Sequence, residues 1–193
     1  MDRECELSLV ARLRDGDASA FDEVYDAFRP RIFSFLCRLA RRRDVAEDLL
    51  EEVWLRLVAR AHDLRPDTRL AAWLFTVARN LYWSYCRARQ VEEVHGADLI
   101  GLWPAPSCRP SPFEEAAAAE LDRRVERALA SLRAPYREVL LLVAVHGLTP
   151  AEAAQACGIA PEALRTRLAR ARAMLAEGLS EGKRVPSGPG GGT

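Results

Sequence analysis

Lysine is nearly missing from this chain: of its 28 basic residues only Lys183 is not an arginine. That bias is what a GC-rich genome imposes through its codons, and it carries no function. Cysteine is sparse and scattered. Cys5, Cys37, Cys86, Cys108 and Cys157 include no CxxC pair and have no histidine at ligand spacing, which excludes a zinc ribbon or a disulfide scaffold and reads as reduced, mostly packed thiols. The three histidines, His62, His95 and His146, lie far apart, and no nucleophile motif, glycine-rich phosphate loop or cleft-forming carboxylate pair accompanies them. We therefore expect no enzyme, no cofactor and no metal. His146, directly before Gly147, reads as a residue that ends a helix. No run approaches the roughly 20 apolar residues that span a bilayer, and the charged start "MDRECELSLV" lacks the apolar core of a signal peptide. The expectation is a cytoplasmic protein with no membrane insertion.

What is present is helix-forming sequence. With 193 residues, 49% of them hydrophobic, the chain can bury one or two cores, and two small domains fit its length. Apolar residues recur at spacings of three and four almost throughout and nowhere alternate as in a strand, so the fold class is all-α. Residues 90 to 112, with Pro104, Pro106, Pro110 and Pro112, break the pattern. The expected organisation is an N-terminal domain over 1–90, a linker over 91–113, a C-terminal domain over 114–178 and a flexible tail over 179–193. Leu99, Ile100, Leu102 and Trp103 make the linker too apolar for a wholly solvated tether. Periodicity predicts helices over 4–14, 18–41, 44–60 and 69–89, then 113–132, 135–146, 150–156 and 161–177. Pro30 should kink or split the second of these.

Toward the C-terminus, Thr149-Pro150-Ala151-Glu152 has the pattern of a capping box. The short helix it starts must end at Cys157-Gly158, and Pro161 opens another after only Gly158, Ile159 and Ala160. Two helices joined by so tight a glycine-containing turn describe a helix-turn-helix, whose second helix enters the major groove of DNA. On that second helix Leu164, Leu168, Ala171 and Leu175 form a narrow apolar stripe, while Arg165, Arg167, Arg170 and Arg172 fall off it. Ala160, Glu162, Ala163 and Thr166, near the helix start, are placed to face bases. Arg165 suits either base or phosphate, and Arg167, Arg170 and Arg172 suit phosphates.

Residues 44–58, "DVAEDLLEEVWLRLV", carry the opposite sign. Leu49, Leu50, Val53, Trp54 and Leu57 form a wide face to bury, and Glu47, Asp48, Glu51 and Glu52 lie opposite, with no basic residue among them. Like charges four apart destabilise an isolated helix by a few tenths of a kcal/mol per pair. Leu55 projects from the middle of this acidic face, as an interface anchor does inside a charged rim. The partner that fits is a basic protein surface. In residues 69–89 the pattern buries Leu74, Val77, Leu81 and Tyr85, and turns Phe75, Arg79, Tyr82, Trp83, Cys86 and Arg87 the other way. Tyr82 and Trp83 among Arg79, Arg87 and Arg89 suit single-stranded nucleic acid, where rings stack on bases and guanidiniums neutralise phosphates. The preceding loop, His62 to Thr68, is where a pocket for a flipped base would lie.

Three segments together, "DVAEDLLEEVWLRL", "AAWLFTVARNLYWSYCRAR" and "ALASLRAPYREVLLLVAVHGLTPAEAAQACGIAPEALRTRLARARAML", resemble the extracytoplasmic-function sigma factors of the bacterial sigma-70 family. The resemblance implies a transcription initiation factor whose residues 1 to 90 form the second conserved sigma region and whose C-terminal domain forms the fourth. It implies that Glu47, Asp48, Glu51, Glu52 and Leu55 bind the clamp helices of the largest catalytic subunit of core RNA polymerase. Arg79, Asn80, Tyr82, Trp83 and Arg87 would melt and read the minus-ten element, and the helix-turn-helix would read the minus-thirty-five element in duplex form. Glu51 stands where a glutamine is common, and Ser84 where an aspartate is frequent. Members are often held inactive by an anti-sigma factor, and the sequence singles out none. The alternative is a stand-alone helix-turn-helix regulator, which accounts for the C-terminal half and leaves Leu55 and Trp83 without a purpose.

Overall fold

The structure, a computed structural model, describes residues 3–95 and 116–181, with side chains from 3 to 89 and from 123 to 180. The expectations for 99–103, Cys108 and the tail beyond 181 lie outside the described residues. Every regular element among those described is helical. The N-terminal half consists of α1 (Arg3–Arg14), α2 (Ala18–Ala40), α3 (Arg43–Arg60), a 3-10 turn (Ala61–Asp63) and α4 (Leu70–His95). The C-terminal half consists of α5 (Ala116–Ser131), α6 (Ala134–Leu140), which runs on as a π turn (Leu141–Val145), α7 (Pro150–Cys157) and α8 (Pro161–Glu181).

In the first half α2, α3 and α4 pack on one another, and α1 lies along α2. Asp17 caps α2 by accepting the Ser19 N–H, and Arg12 reaches across to both Asp17 and Glu23. Pro30 does not split α2, which runs unbroken through it from Ala18 to Ala40. Phe28 and Ile32, on either side of it, are buried in the core with Phe35, Leu36 and Leu39, and this packing holds the helix through the one hydrogen bond that proline cannot donate. Leu49, Val53 and Leu57 of α3 and Leu70, Leu74, Phe75 and Ala78 of α4 complete the core. Glu6, buried on α1, accepts the Ala71 N–H at the start of α4.

In the second half α8 packs against α5, α6 and α7. Its stripe is buried at Leu164, Leu168 and Ala171 and half-buried at Leu175. The capping box of α7 is formed: Thr149 Oγ1 accepts the Glu152 N–H at 3.3 Å, and Glu152 Oε2 accepts the Thr149 N–H at 2.9 Å. Gly158 then ends α7 at φ +63°, in the left-handed region that glycine enters without strain. The halves are joined where α4 meets α7 and α2 meets α6.

Replacing Thr149 by Ala is expected to destabilise the chain by about 1 kcal/mol in urea unfolding, with Thr149→Ser close to the original. Equal stability of the Ala variant would show that the cap does not hold α7 in register.

Candidate polymerase and nucleic-acid interfaces

The α3 helix divides as its sequence requires. Val45, Ala46, Leu49, Leu50, Val53, Trp54 and Leu57 are buried, which leaves Leu55 64% exposed on the opposite face, with Val58 beside it at 59%. Glu47, Asp48 and Glu51 are exposed and Glu52 is half-buried. The acidic patch is partly answered by its own helix: Arg43 pairs with Glu47 and Arg56 with Glu52, each at 2.8 Å. Both are exposed pairs four residues apart, worth a few tenths of a kcal/mol each. Asp48 and Glu51 have no ion pair among the described residues. An exposed leucine flanked by these carboxylates can bury its side chain against a partner while the rim meets cations.

The α4 helix is more deeply engaged than its pattern suggests. Leu74 and Leu81 are buried as expected, and Val77 and Tyr85 are half-buried. Phe75 and Tyr82, expected on the open side, are buried too. The reason is the C-terminal half, which covers that side. Phe75 meets the His146 ring at 4.6 Å between centroids, and Phe35 closes on the same ring at 5.7 Å. His146 does end a helix, yet it is a buried interdomain residue and no surface cap. Trp83 lies edge-on to Tyr82. Its indole Nε1 donates to Glu138 Oε1 at 3.3 Å, and Arg79 Nε donates to the same oxygen at 2.5 Å. Arg79 also donates to the Asn80 side chain, and Arg87 to the Ser84 hydroxyl. Arg79, Asn80, Trp83 and Arg87 thus line one wall of a cavity of about 360 Å³, and Pro135, Glu138, Ile159 and Arg167 line the other. The His62–Thr68 loop is differently arranged: Leu64 is buried, the His62 Nδ1 is bound to the Arg14 carbonyl, and Arg65 and Asp67 form an exposed pair.

On α8, Ala160, Glu162, Ala163, Arg165, Thr166, Arg170 and Arg172 are exposed and Arg167 is half-buried. Arg165 is tied to Glu162 at 2.7 Å, and the Thr166 hydroxyl donates back to the Glu162 carbonyl. Arg167, Arg170 and Arg172 have no carboxylate partner among the described residues. Two residues that sequence reasoning passed over join the halves, Arg137 and Glu138. Their only signal is an Arg-Glu pair at the head of the apolar run "VLLLVAV", where a charge that is buried must find a partner. Arg137 finds five carbonyl oxygens, those of Leu129, Ala130 and Leu132 at the end of α5 and of Arg38 and Leu39 at the end of α2, at 2.7 to 3.2 Å.

A helical N-terminal unit followed by a unit that closes in a helix-turn-helix is the arrangement of a two-region sigma factor. Residues 24–91 match the family model described as Sigma-70 region 2, and residues 122–175 match Sigma-70, region 4. The RNA polymerase sigma factor CarQ of Myxococcus xanthus is 31% identical over 172 residues, 89% of this chain and 96% of that protein. The sigma factor EcfG of Rhodopseudomonas palustris is 36% identical over 149 residues, 76% of this chain and 77% of that protein. Among solved structures, the sigma factor RpoE of Bartonella quintana, in complex with the anti-sigma factor NepR, matches with 27% identity and a TM-score of 0.71. That match covers 85% of this chain and 98% of that one. The chain belongs to the extracytoplasmic-function RNA polymerase sigma factors, and as such is a transcription initiation factor.

Burial, and after it the nearby Arg31 and Arg38 guanidiniums, push the His146 imidazole down from 6.5 to about 4. The folded chain therefore holds His146 neutral where the unfolded chain protonates it. Its contribution is fully present above pH 6.5 and lost as pH falls toward 4, by roughly 3 kcal/mol in all. His146→Phe is expected to flatten the fall in stability between pH 6.5 and 4 in urea titrations, and an unchanged slope would place the acid sensitivity elsewhere.

Proposed function

We propose that the chain works in the cytoplasm by binding and not by catalysis, and that its two charge-segregated surfaces serve two partners. The acidic face of α3, with Leu55 as its anchor and Glu47, Asp48, Glu51 and Glu52 around it, takes the basic clamp helices of core RNA polymerase. The observation that carries this reading is the 64% exposure of Leu55 on a helix that buries seven other residues. A leucine left in water at the centre of an acidic patch is what a small apolar anchor with a charged rim requires.

In the same reading, residues 1–90 act on the minus-ten element and residues 114–178 on the minus-thirty-five element. Arg79, Asn80, Trp83 and Arg87 hold the opened strand, with Tyr82 buttressing the indole of Trp83. In the duplex, Ala160, Glu162, Ala163, Arg165 and Thr166 face base edges, and Arg167, Arg170 and Arg172 clamp phosphates. That these three meet no carboxylate among the described residues supports this role, since an arginine already paired has less to give a phosphate. The capture of a related sigma factor by NepR supports an anti-sigma protein as a further partner here.

Run-off transcription with purified core polymerase on a promoter library tests the whole reading, and the absence of any sigma-dependent transcript would end it. Leu55→Arg is expected to abolish assembly with core enzyme while leaving the helical circular-dichroism signal intact, and undiminished assembly would remove the α3 interface. Arg167→Ala with Arg170→Ala is expected to weaken holoenzyme binding across promoter sequences. It should also lower the slope of log affinity against log salt by about one for each phosphate that is no longer neutralised. An unaltered slope would mean that these guanidiniums only face water.

A further inference from the structure

Part of the surface assigned to the opened strand is turned toward the other half of the chain, while most of the α8 face stays exposed. The α4 groups Arg79, Asn80 and Trp83 form one wall of the interdomain cavity, and Arg167, from the recognition helix, lies on the opposite wall. At about 360 Å³ the cavity has room for one small ligand, whereas protein grooves that hold single strands track at least several nucleotides. The groups that would grip the strand are also occupied. Glu138, with none of its surface exposed, brings one carboxylate oxygen to the Arg79 guanidinium and the Trp83 indole at once. A carboxylate shared by a guanidinium and an indole N–H occupies the place where a DNA phosphate or a base acceptor would sit.

We propose that Glu138 is an internal stand-in for promoter DNA, and that it latches the free chain in a closed form that must open before nucleic acid can bind. The inference rests on the assignment of Arg79 and Trp83 to the minus-ten strand. A second, independent set of contacts closes the same joint at its far side. Arg38 of α2 donates to Glu126 of α5 through Nε and Nη2 at 2.9 and 2.6 Å, Arg31 donates to the His146 carbonyl at 2.7 Å, and Arg69 lies 3.7 Å from Glu152. Every one of these pairs crosses between the halves. Glu138 Oε2 is buried at this joint without a hydrogen bond to any described residue.

The test uses the full chain in three forms: Glu138→Gln, Arg38→Glu, and the exchange Arg38→Glu with Glu126→Arg. Small-angle scattering reads the opening directly. Anisotropy with a labelled single-stranded oligonucleotide of mixed sequence reads access to α4. The first two variants are expected to show a larger radius of gyration than wild type. They are also expected to bind the oligonucleotide more tightly, by about tenfold if the wild-type chain is open about a tenth of the time. The exchange variant should return both readings to wild type. Arg38→Glu is the sharper arm, because it adds negative charge and is still expected to improve binding to a polyanion. Scattering curves that superimpose on wild type in both single variants would overturn the latch. So would expansion with no gain in binding, which would leave Glu138 a structural contact and no stand-in for DNA. Should Glu138→Gln fail to fold by circular dichroism, Arg38→Glu and its exchange partner decide alone. Run-off transcription with core enzyme separates the two readings: a failure there with intact opening removes the sigma-factor sites, and normal transcription with no opening removes the latch.

Discussion

Arg137 is the group on which the arrangement of the two halves depends. The last carbonyls of a helix have no partner within it and carry the negative end of the helix dipole. At α5 and at α2 such carbonyls converge on one guanidinium. A planar fork with five donors can satisfy two helix ends at once, where an ammonium on a flexible stem could not hold both. Burial, and after it the neighbouring Arg41, lower the Arg137 pKa. No carboxylate is needed, because the carbonyls supply the compensating field. The side chain thereby fixes where Glu138, the next residue, meets α4.

Around that anchor the joint is built unlike either core. Within each half, leucine, isoleucine and phenylalanine are buried almost completely, and such packing is lost only by unfolding. Between the halves, arginines of α2 and α4 reach to carbonyls and carboxylates, the His146 ring packs between Phe35 and Phe75, and the buried apolar residues of both halves form one continuous cluster. Exposed ion pairs such as Arg38–Glu126 contribute about 0–1 kcal/mol each. An unmet bond at the buried Glu138 oxygen opposes them by about 1–3 kcal/mol.

Most of the architecture was legible because its signals are local. The capping box at Thr149, the glycine at 158 and the prolines at 150 and 161 mark boundaries by their own backbone chemistry, and α7 begins and ends, and α8 begins, at these markers. Leu55 was legible because the width of α3's apolar face leaves it outside. What was hidden depends on the other half of the chain. Phe75 and His146 are buried by rings on other helices, Phe75 by Phe35 and His146 and His146 by Phe35 and Phe75, and Tyr82 is buried with them, so no periodicity within one helix could assign them. Pro30 does not split α2 for the same reason, since its neighbours Phe28 and Ile32 are held by tertiary packing that a local rule does not contain. The engagement of Arg79 and Trp83 by Glu138 was likewise out of reach, because it joins residues 55 to 59 positions apart.

A neutral chain that must bind a polyanion poses an electrostatic question, and the placement of charge answers it. With 28 acidic and 28 basic residues there is no net field to draw the chain onto arbitrary DNA from beyond a Debye length of roughly 8–10 Å. Cations are effective only at contact, and two of the proposed contacts, Arg79 and Arg167, line the cleft between the halves. The acids of α3 remain outside, where they repel nucleic acid and attract a basic protein surface. Covering them removes the repulsive charge near α4 and leaves the arginines of α8 in excess. On the proposed assignment, a protein partner that neutralises α3 strengthens the affinity of the whole assembly for DNA.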